Sequence, residues 1–381
     1  MDFIKYLIGK IIRKFLSFIS CFFKIENKIL FYPANGSYYC NLKYISNMLV
    51  ENYNEAIIWI CNKGNIPDIK FIKNKSLLFY YHFLTSKIII FNDALPSWLL
   101  KRNEQIYIQT WHGGGAYKKI NILYKDEVNR YKKKRSKYFF KNIDYVICAC
   151  RAFEEAFKND YGAKNAKYLE IGMPRNDIFF NNEYVKLVKQ NVRNFYNLEK
   201  DRKLILYAPT FRKNKFNNYF NINFFIKQLK IKYKQNLVLM LRTHPHLKKD
   251  IFNNINNTKN IIDVTNYPDM QELLCAADIL ITDYSSCMWD FSLMYKPCFI
   301  YATDIDQYKQ ERDFYTPMSE WPFPIATNTD ELINNILNFN QKEYVQKVKQ
   351  HHKDLGSFED GHACERICKL IEDIIDGKVQ K

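Results

Sequence analysis

Apolar positions in this chain come in short, nearly continuous runs. In the first half they are 28–33 (KILFYP), 56–61 (AIIWIC), 87–92 (KIIIFN), 106–110 (IYIQT), 144–149 (DYVICA) and 167–171 (KYLEI). In the second half they are 203–208 (KLILYA), 236–242 (NLVLMLR), 260–264 (NIIDV), 279–283 (ILITD) and 298–302 (CFIYA). Each is followed by a stretch of helical character, which predicts parallel strands covered by helices on both faces. The runs form two groups with a charged stretch near 181–202 between them. The expected class is therefore α/β, with two Rossmann-like domains over 25–190 and 200–350. A length of 381 residues agrees with two domains. The tail over 351–381 reads as helical and charged, with a crossing back to the first domain as one route for it.

Residues 3–23 break the pattern. At helical spacing Ile4, Leu7, Ile8, Ile11, Phe15, Phe18, Ile19 and Phe22 share one face, and Lys5, Lys10, Arg13 and Lys14 fall on the other. These charges leave no uncharged run long enough to span a bilayer. Residues 1–24 are expected to form an amphipathic helix lying on an anionic membrane surface, with packing on its own domain as the alternative. A second basic run, 130–137, is open between a solvated helix face and contact with acidic lipid or a polyanionic acceptor.

The chain carries 57 Lys+Arg against 40 Asp+Glu, a formal charge of +17. That makes nucleic-acid binding the main non-enzymatic rival. No nucleic-acid module is recognisable, and membrane and polyanion contact account for the same charge, so no nucleic-acid partner is expected. The ten cysteines are scattered, several in apolar runs, and read as reduced core thiols. His362, Cys364 and Cys368 follow no common zinc spacing.

The chemistry sits where the strands end. IYIQT runs into Trp111-His112-Gly113-Gly114-Gly115, KLILYA into Pro209-Thr210-Phe211-Arg212, and NLVLMLR into Arg242-Thr243-His244-Pro245. NIIDV leads to Asp269 and Glu272, and ILIT to Asp283-Tyr284-Ser285-Ser286. In open α/β sheets the carboxyl edge is where ligands bind. His112 and His244 lie in strand-end loops and are suited to taking a proton from a hydroxyl or donating to a phosphate oxygen. Ser285 or Ser286 is expected to cap the following helix, whose free N–H groups suit phosphate. Arg212 offers a planar fork of donors for a diphosphate, while Arg242 either does the same or braces its loop. Glu272 and Asp269 either reach ribose hydroxyls or, for Asp269 above all, serve a helix N-terminus. The His-Gly-Gly-Gly run also occurs in esterases, but no G-x-S-x-G elbow follows it. P-loop and G-x-G-x-x-G patterns are absent as well.

Taken in order, these segments resemble a known family. They are Thr110-Trp-His-Gly113, Gly172-Met-Pro-Arg-Asn-Asp177, Tyr207-Ala-Pro-Thr-Phe-Arg212, Arg242-Thr-His-Pro245, Tyr267-Pro-Asp-Met-Gln-Glu-Leu273 and Ala277 through Ser286. Asp290-Phe, Lys296-Pro297, Tyr308 and Arg312 through Tyr315 continue the match. The sequence resembles the CDP-glycerol glycerophosphotransferases, the teichoic-acid primases and polymerases and their capsule relatives, over roughly residues 28–370. The resemblance implies a GT-B fold with two parallel sheets facing a cleft and a CDP-activated donor held mainly by the C-terminal domain. It implies transfer of a polyol phosphate, from CDP-glycerol or a related CDP-polyol, to a hydroxyl of a glycan, lipid-linked or polyol-phosphate acceptor, with release of CMP. His112 is then the general base. His244, Ser285 and Ser286 hold the pyrophosphate with Asp283 beside them, Arg212 and Arg242 add positive charge, and Glu272 or Asp269 reaches the ribose. Trp111 and Gly113 belong to the acceptor side, as does Asp177, which either contacts the acceptor or positions the first domain. No cofactor is implied, and no carboxylate cluster has hard-cation spacing, so metal-independent transfer is expected. The implied location is the cytoplasmic face of a bacterial membrane, peripherally bound. Two departures stand out: Gly114-Gly115 follow Trp-His-Gly where common members have Thr-Pro, and Asp313 follows Arg312 where many have Gly.

Overall fold

The computed structural model describes residues 2–34, 36–52, 56–61, 66–119, 130–210, 221–233, 237–243, 260–311 and 314–379. The chain divides into two compact units, residues 1–177 with 356–381, and residues 178–355.

The first unit is built on β1 (Glu26–Tyr32), β2 (Ala56–Ile60), β3 (Ile69–Ile72), β4 (Ser86–Phe91), β5 (Ile106–Gln109), β6 (Tyr145–Cys148) and β7 (Lys167–Glu170). Their order across the sheet is β3-β2-β1-β4-β5-β6-β7, and each neighbouring pair is parallel. The second unit holds β8 (Lys203–Ala208), β9 (Leu237–Leu241), β10 (Ile261–Asp263), β11 (Ile279–Thr282), β12 (Cys298–Tyr301) and β13 (Ile325–Ala326). Their order is β10-β9-β8-β11-β12-β13, again with every pair parallel. All eleven apolar runs form strands; β3 and β13 are additional. In a parallel sheet the carboxyl ends of all strands share one edge. The order reverses between β1 and β4 in the first sheet and between β8 and β11 in the second, and such switch points open a crevice at that edge.

The passage from first to second unit falls at Asp177–Ile178, earlier than the 190–200 stretch expected from charge. The helix Asn182–Phe195 is the reason. It is amphipathic, buries Val188 and Val192, and packs on helix Met270–Ala276 of the second unit. The return falls at Leu355–Gly356, and the final helix Ala363–Ile375 packs on helix Cys40–Asn52 of the first unit. All ten cysteines are free thiols, and only Cys21 is exposed.

The N-terminal segment forms a helix over Asp2–Ser20, with an unexpected orientation. It packs on its own unit through Asp2, Tyr6, Gly9, Arg13, Leu16 and Ser20, a stripe spaced by three and four. Arg135 Nη2 donates to Asp2 Oδ1 at 2.7 Å, Tyr6 meets the Tyr131 ring at 5.6 Å, and the Arg13 guanidinium lies 4.1 Å from the Tyr138 ring centre. Gly9, Leu16 and Ser20 are buried. The helix therefore rests on Arg130–Phe140, which contains the second basic run. The face turned outward is the apolar one: Ile4, Leu7, Ile8, Ile11, Phe15, Phe18 and Phe22 are all exposed, Phe22 to 72%. Packing on its own unit, one of the two alternatives posed in the sequence, thus uses the side of the helix opposite the exposed apolar face. Among the described residues no helix is long and apolar enough to cross a membrane.

Candidate functional site

At the edge of the first sheet, β5 ends at Gln109, and after Thr110 the backbone turns sharply at Trp111, whose φ is +54°. A non-glycine residue in this region costs on the order of 1–2 kcal/mol. Three contacts offset that cost. Gln109 Oε1 accepts from Trp111 N at 2.8 Å, the buried Asn41 donates from Nδ2 to Trp111 O at 3.1 Å, and the indole is buried edge-on to Phe157 and Tyr161. Trp111, expected on the acceptor side, is thus a core anchor that presents the next residue. Gly113 is buried beside it.

His112 exposes part of its side chain, while its ring stacks on Trp111 at 4.6 Å and its Nδ1 contact is part-buried. Its Nδ1 lies 2.9 Å from the carbonyl oxygen of Asn92, the residue that follows β4. A carbonyl oxygen only accepts, so Nδ1 carries the hydrogen and Nε2 keeps a lone pair. Desolvation by the surrounding loops pushes the imidazole below its usual range, against the pull of the Asn92 carbonyl and Asp93; Arg175 and Lys118 push it further down. A neutral imidazole with a bare Nε2 at an open sheet edge is equipped to accept a proton.

The supporting residues escaped the sequence reading. Asn92 Oδ1 accepts from Ala34 N at 2.9 Å, which ties the ends of β1 and β4 across the switch point. Asn92 ends a strand just as His112 does, so the strand-end rule pointed to it. Asn41 and Arg175 carried no local signal, although Arg175 lies within a quoted segment. Asp177, expected either to contact the acceptor or to position the first domain, spends its carboxylate within that domain. Its carboxylate accepts from Ala363 N at 3.1 Å and Cys364 N at 2.7 Å, capping the final helix. Burial raises its pKa while those N–H groups lower it.

In the second unit several expected ligands are occupied by the fold. Asp283 is 4% exposed; its carboxylate accepts from Thr210 N at 2.9 and 3.0 Å, from the Thr210 hydroxyl, and from Tyr284 N at 2.6 Å. It clamps the ends of β8 and β11 across the second switch point instead of facing a donor. Asp269, 2% exposed, caps helix Met270–Ala276 by accepting from Gln271 N at 2.9 Å. Arg242 donates from Nη1 to Tyr267 O at 2.9 Å and so braces its loop; burial lowers its pKa, with Asp269 opposing. Glu272 Oε2 accepts from the Tyr267 hydroxyl at 2.6 Å. The expected hydroxyl cap is not formed by Ser286. It occupies the N-cap position of helix Cys287–Ser292 with helical backbone (φ −64°, ψ −10°), a geometry that turns its side chain away from the next N–H groups. Ser285 Oγ lies 3.4 Å from Cys287 N. Both serines are half-buried. Arg212 and His244 lie outside the described residues.

The model of the CDP-glycerol:poly(glycerophosphate) glycerophosphotransferase family matches residues 14–373. The chain belongs to this family. Among the family's curated glycerophosphotransferases, a teichoic acid glycerol-phosphate transferase of Staphylococcus aureus (strain NCTC 8325 / PS 47) is 30% identical, over 91% of this chain and 94% of that one. A teichoic acid glycerol-phosphate primase of Bacillus subtilis (strain 168) is 31% identical, over 89% and 86%. A structure of the wall teichoic acid polymerase TagF soaked with CDPG superimposes with a TM-score of 0.85 at 28% identity, covering 100% of this chain and 99% of that one. This glycerophosphotransferase thus has the GT-B-like architecture of two parallel sheets that the resemblance implied.

Proposed function

We propose that this chain transfers glycerol phosphate from CDP-glycerol to a hydroxyl of a glycan, lipid-linked or polyol-phosphate acceptor in teichoic-acid or capsule synthesis. The observation that carries the mechanism is the tautomer of His112. Nε2 takes the proton of the acceptor hydroxyl, and that oxygen attacks the donor phosphorus proximal to glycerol. The bond from that phosphorus to the bridging oxygen breaks, and CMP leaves with the electron pair. The half-buried hydroxyls of Ser285 and Ser286 are read as pyrophosphate contacts. By the family resemblance His244 and Arg212 supply further positive or hydrogen-bonding groups there. Asp283, Asp269 and Arg242 act behind these groups by holding their loops.

We read the enzyme as peripheral to the cytoplasmic face of the membrane. Support comes from the outward apolar face of helix Asp2–Ser20 and from the exposed Arg130, Lys132, Lys134 and Lys137 on the helix it packs against. Apolar side chains enter the acyl boundary while cations meet anionic headgroups. A donor panel of CDP-glycerol, CDP-ribitol and UDP-sugars, read as nucleotide release with and without acceptors, tests the reaction. Acceptor-dependent CMP release from CDP-glycerol is expected. Release from a UDP-sugar alone overturns the reading, and release from CDP-ribitol alone replaces glycerol with ribitol.

A further inference from the structure

Arg175 stands in the short 3-10 helix Pro174–Phe180 that follows β7, 63 positions from His112, and is 5% exposed. Its Nη1 donates to the main-chain oxygen of His112 at 2.8 Å and lies 3.1 Å from Cys40 Sγ. Its own backbone N donates to Asn41 Oδ1 at 3.1 Å, and Asn41 Nδ2 reaches Thr110 O at 3.2 Å and Trp111 O at 3.1 Å. The segment that carries Arg175 is pinned from the other side. Glu359 accepts from Met173 N at 3.0 Å and from Asn176 Nδ2 at 2.8 Å.

We propose that Arg175 is the positioning residue for His112, fixing the peptide that bears it and placing a permanent positive charge beside its ring. This rests on His112 as the base, and it deepens that reading. The 3-10 helix after β7 meets the loop after β5 and the start of helix Cys40–Asn52 here, and Arg175 braces the first against the second. A guanidinium suits the place because it stays charged when buried and offers several donors, whereas a buried lysine tends to lose its proton. Its charge opposes formation of imidazolium at His112. The other groups acting on that ring are Asp93 and the Asn92 carbonyl, which favour imidazolium, and Lys118, which opposes it. Desolvation does most to keep Nε2 free of a proton near neutral pH, and Arg175 adds to it when the acceptor hydroxyl arrives.

The test titrates the His112 ring by NMR in full-length protein, assigned with His112→Gln, alongside kcat and KM for CDP-glycerol. Arg175→Met removes both donor and charge, and Arg175→Gln keeps a donor without the charge. In both variants the ring should titrate roughly half to one pH unit higher. Turnover should fall most in Arg175→Met, by about 100-fold, with KM for the donor within a factor of about two. Should Arg175→Met not fold, Arg175→Gln carries the comparison. A His112 titration that is identical in every folded variant overturns the proposal, even if His112→Gln is inactive. A shifted titration with an unmoved acid limb of kcat/KM upholds the action of Arg175 on the ring and removes His112 from the role of base.

Discussion

The Nδ1–H of His112 donates to the Asn92 carbonyl across 2.9 Å, so one hydrogen bond sets both the tautomer and the direction of the ring. With Nδ1 committed, the basic lone pair at Nε2 is the one left for chemistry. His112→Gln should lower kcat by at least about 100-fold, the usual worth of a general base, while donor binding by calorimetry is kept. Because the imidazole is held below 6.5 chiefly by desolvation, the acid limb of kcat/KM should inflect below pH 6.5. Near-normal turnover in the variant, or an inflection well above 6.5, removes His112 from the reaction.

Much of this arrangement was legible because parallel strands obey a simple rule. An unusual residue just past an apolar run lands on the ligand edge, and His112, Thr210 and Asp283 all do. The rule locates a residue without saying what satisfies it. Asp283 read as a ligand-facing carboxylate, and Asp269 and Asp177 left that role open beside a structural one, yet all three spend their oxygens on backbone N–H groups. Asn41 and Arg175 were invisible for a different reason: Asn41 meets Trp111 from 70 positions away, and Arg175 meets Asn41 from 134. β13, two residues long, has too few positions for an apolar run to stand out.

Asp283 joins β8 to β11 by accepting from Thr210 and Tyr284 in a buried setting. Asp283→Ala strands several donors away from water. It should cost about 3 kcal/mol of stability, the scale of breaking a buried charged network. Urea denaturation measures this. An unchanged midpoint together with lost donor binding would instead make Asp283 a direct ligand.

Gly172 has φ +83°, and a Cβ placed there would sit 2.9 Å from Glu359 Oε2 and 3.0 Å from Phe358 O. Gly172→Ala combines a left-handed backbone with a collision against main chain. A loss of at least about 2 kcal/mol is expected from these two effects. Displacing Glu359 also frees Met173 N and Asn176, so turnover should drop beyond what the lost stability explains. Thermal melting and kcat on the same preparation separate the two effects.

Three histidines outside the site make the fold sensitive to acid. Desolvation holds His82 and His351 at about 4 and His352 at about 3. Both ring nitrogens of His82 and Nδ1 of His352 are buried, without a hydrogen-bond partner among the described residues. The Ser292 hydroxyl gives its hydrogen to Trp289 O at 2.6 Å, so at 2.7 Å it accepts from His352 Nε2–H. A second proton on His352 therefore has nowhere to go. These folded pKa values lie below the unfolded value of 6.5, so the unfolded chain binds more protons between them. Stability is complete above pH 6.5 and is lost as pH falls toward 4, by about 1.4 kcal/mol per pH unit for each proton taken up. Melting temperature against pH should show this fall, and His352→Gln should flatten it; an unchanged slope in that variant would assign the acid loss to other groups.

Phe15 and Phe18 project from the outward face of the N-terminal helix, at 61% and 66% exposure, while Leu16 between them is buried against the first unit. The two sides of the helix can therefore be altered separately. Phe15→Glu with Phe18→Glu removes only the surface ring contact of Phe18 with Phe22, itself exposed, so melting should stay within about 1 °C, as expected for exposed substitutions. It places two carboxylates where acyl chains are proposed to lie, next to anionic headgroups, and should abolish sedimentation with vesicles rich in phosphatidylglycerol. Leu16→Ala should do the reverse, loosening the helix from its unit while leaving the apolar face able to bind. CMP release on a soluble acceptor should continue in the double variant, since neither phenylalanine approaches His112's loop. Vesicle binding that survives the two glutamates would move the attachment to the basic helix Arg130–Phe140 alone, and raised salt would then release it.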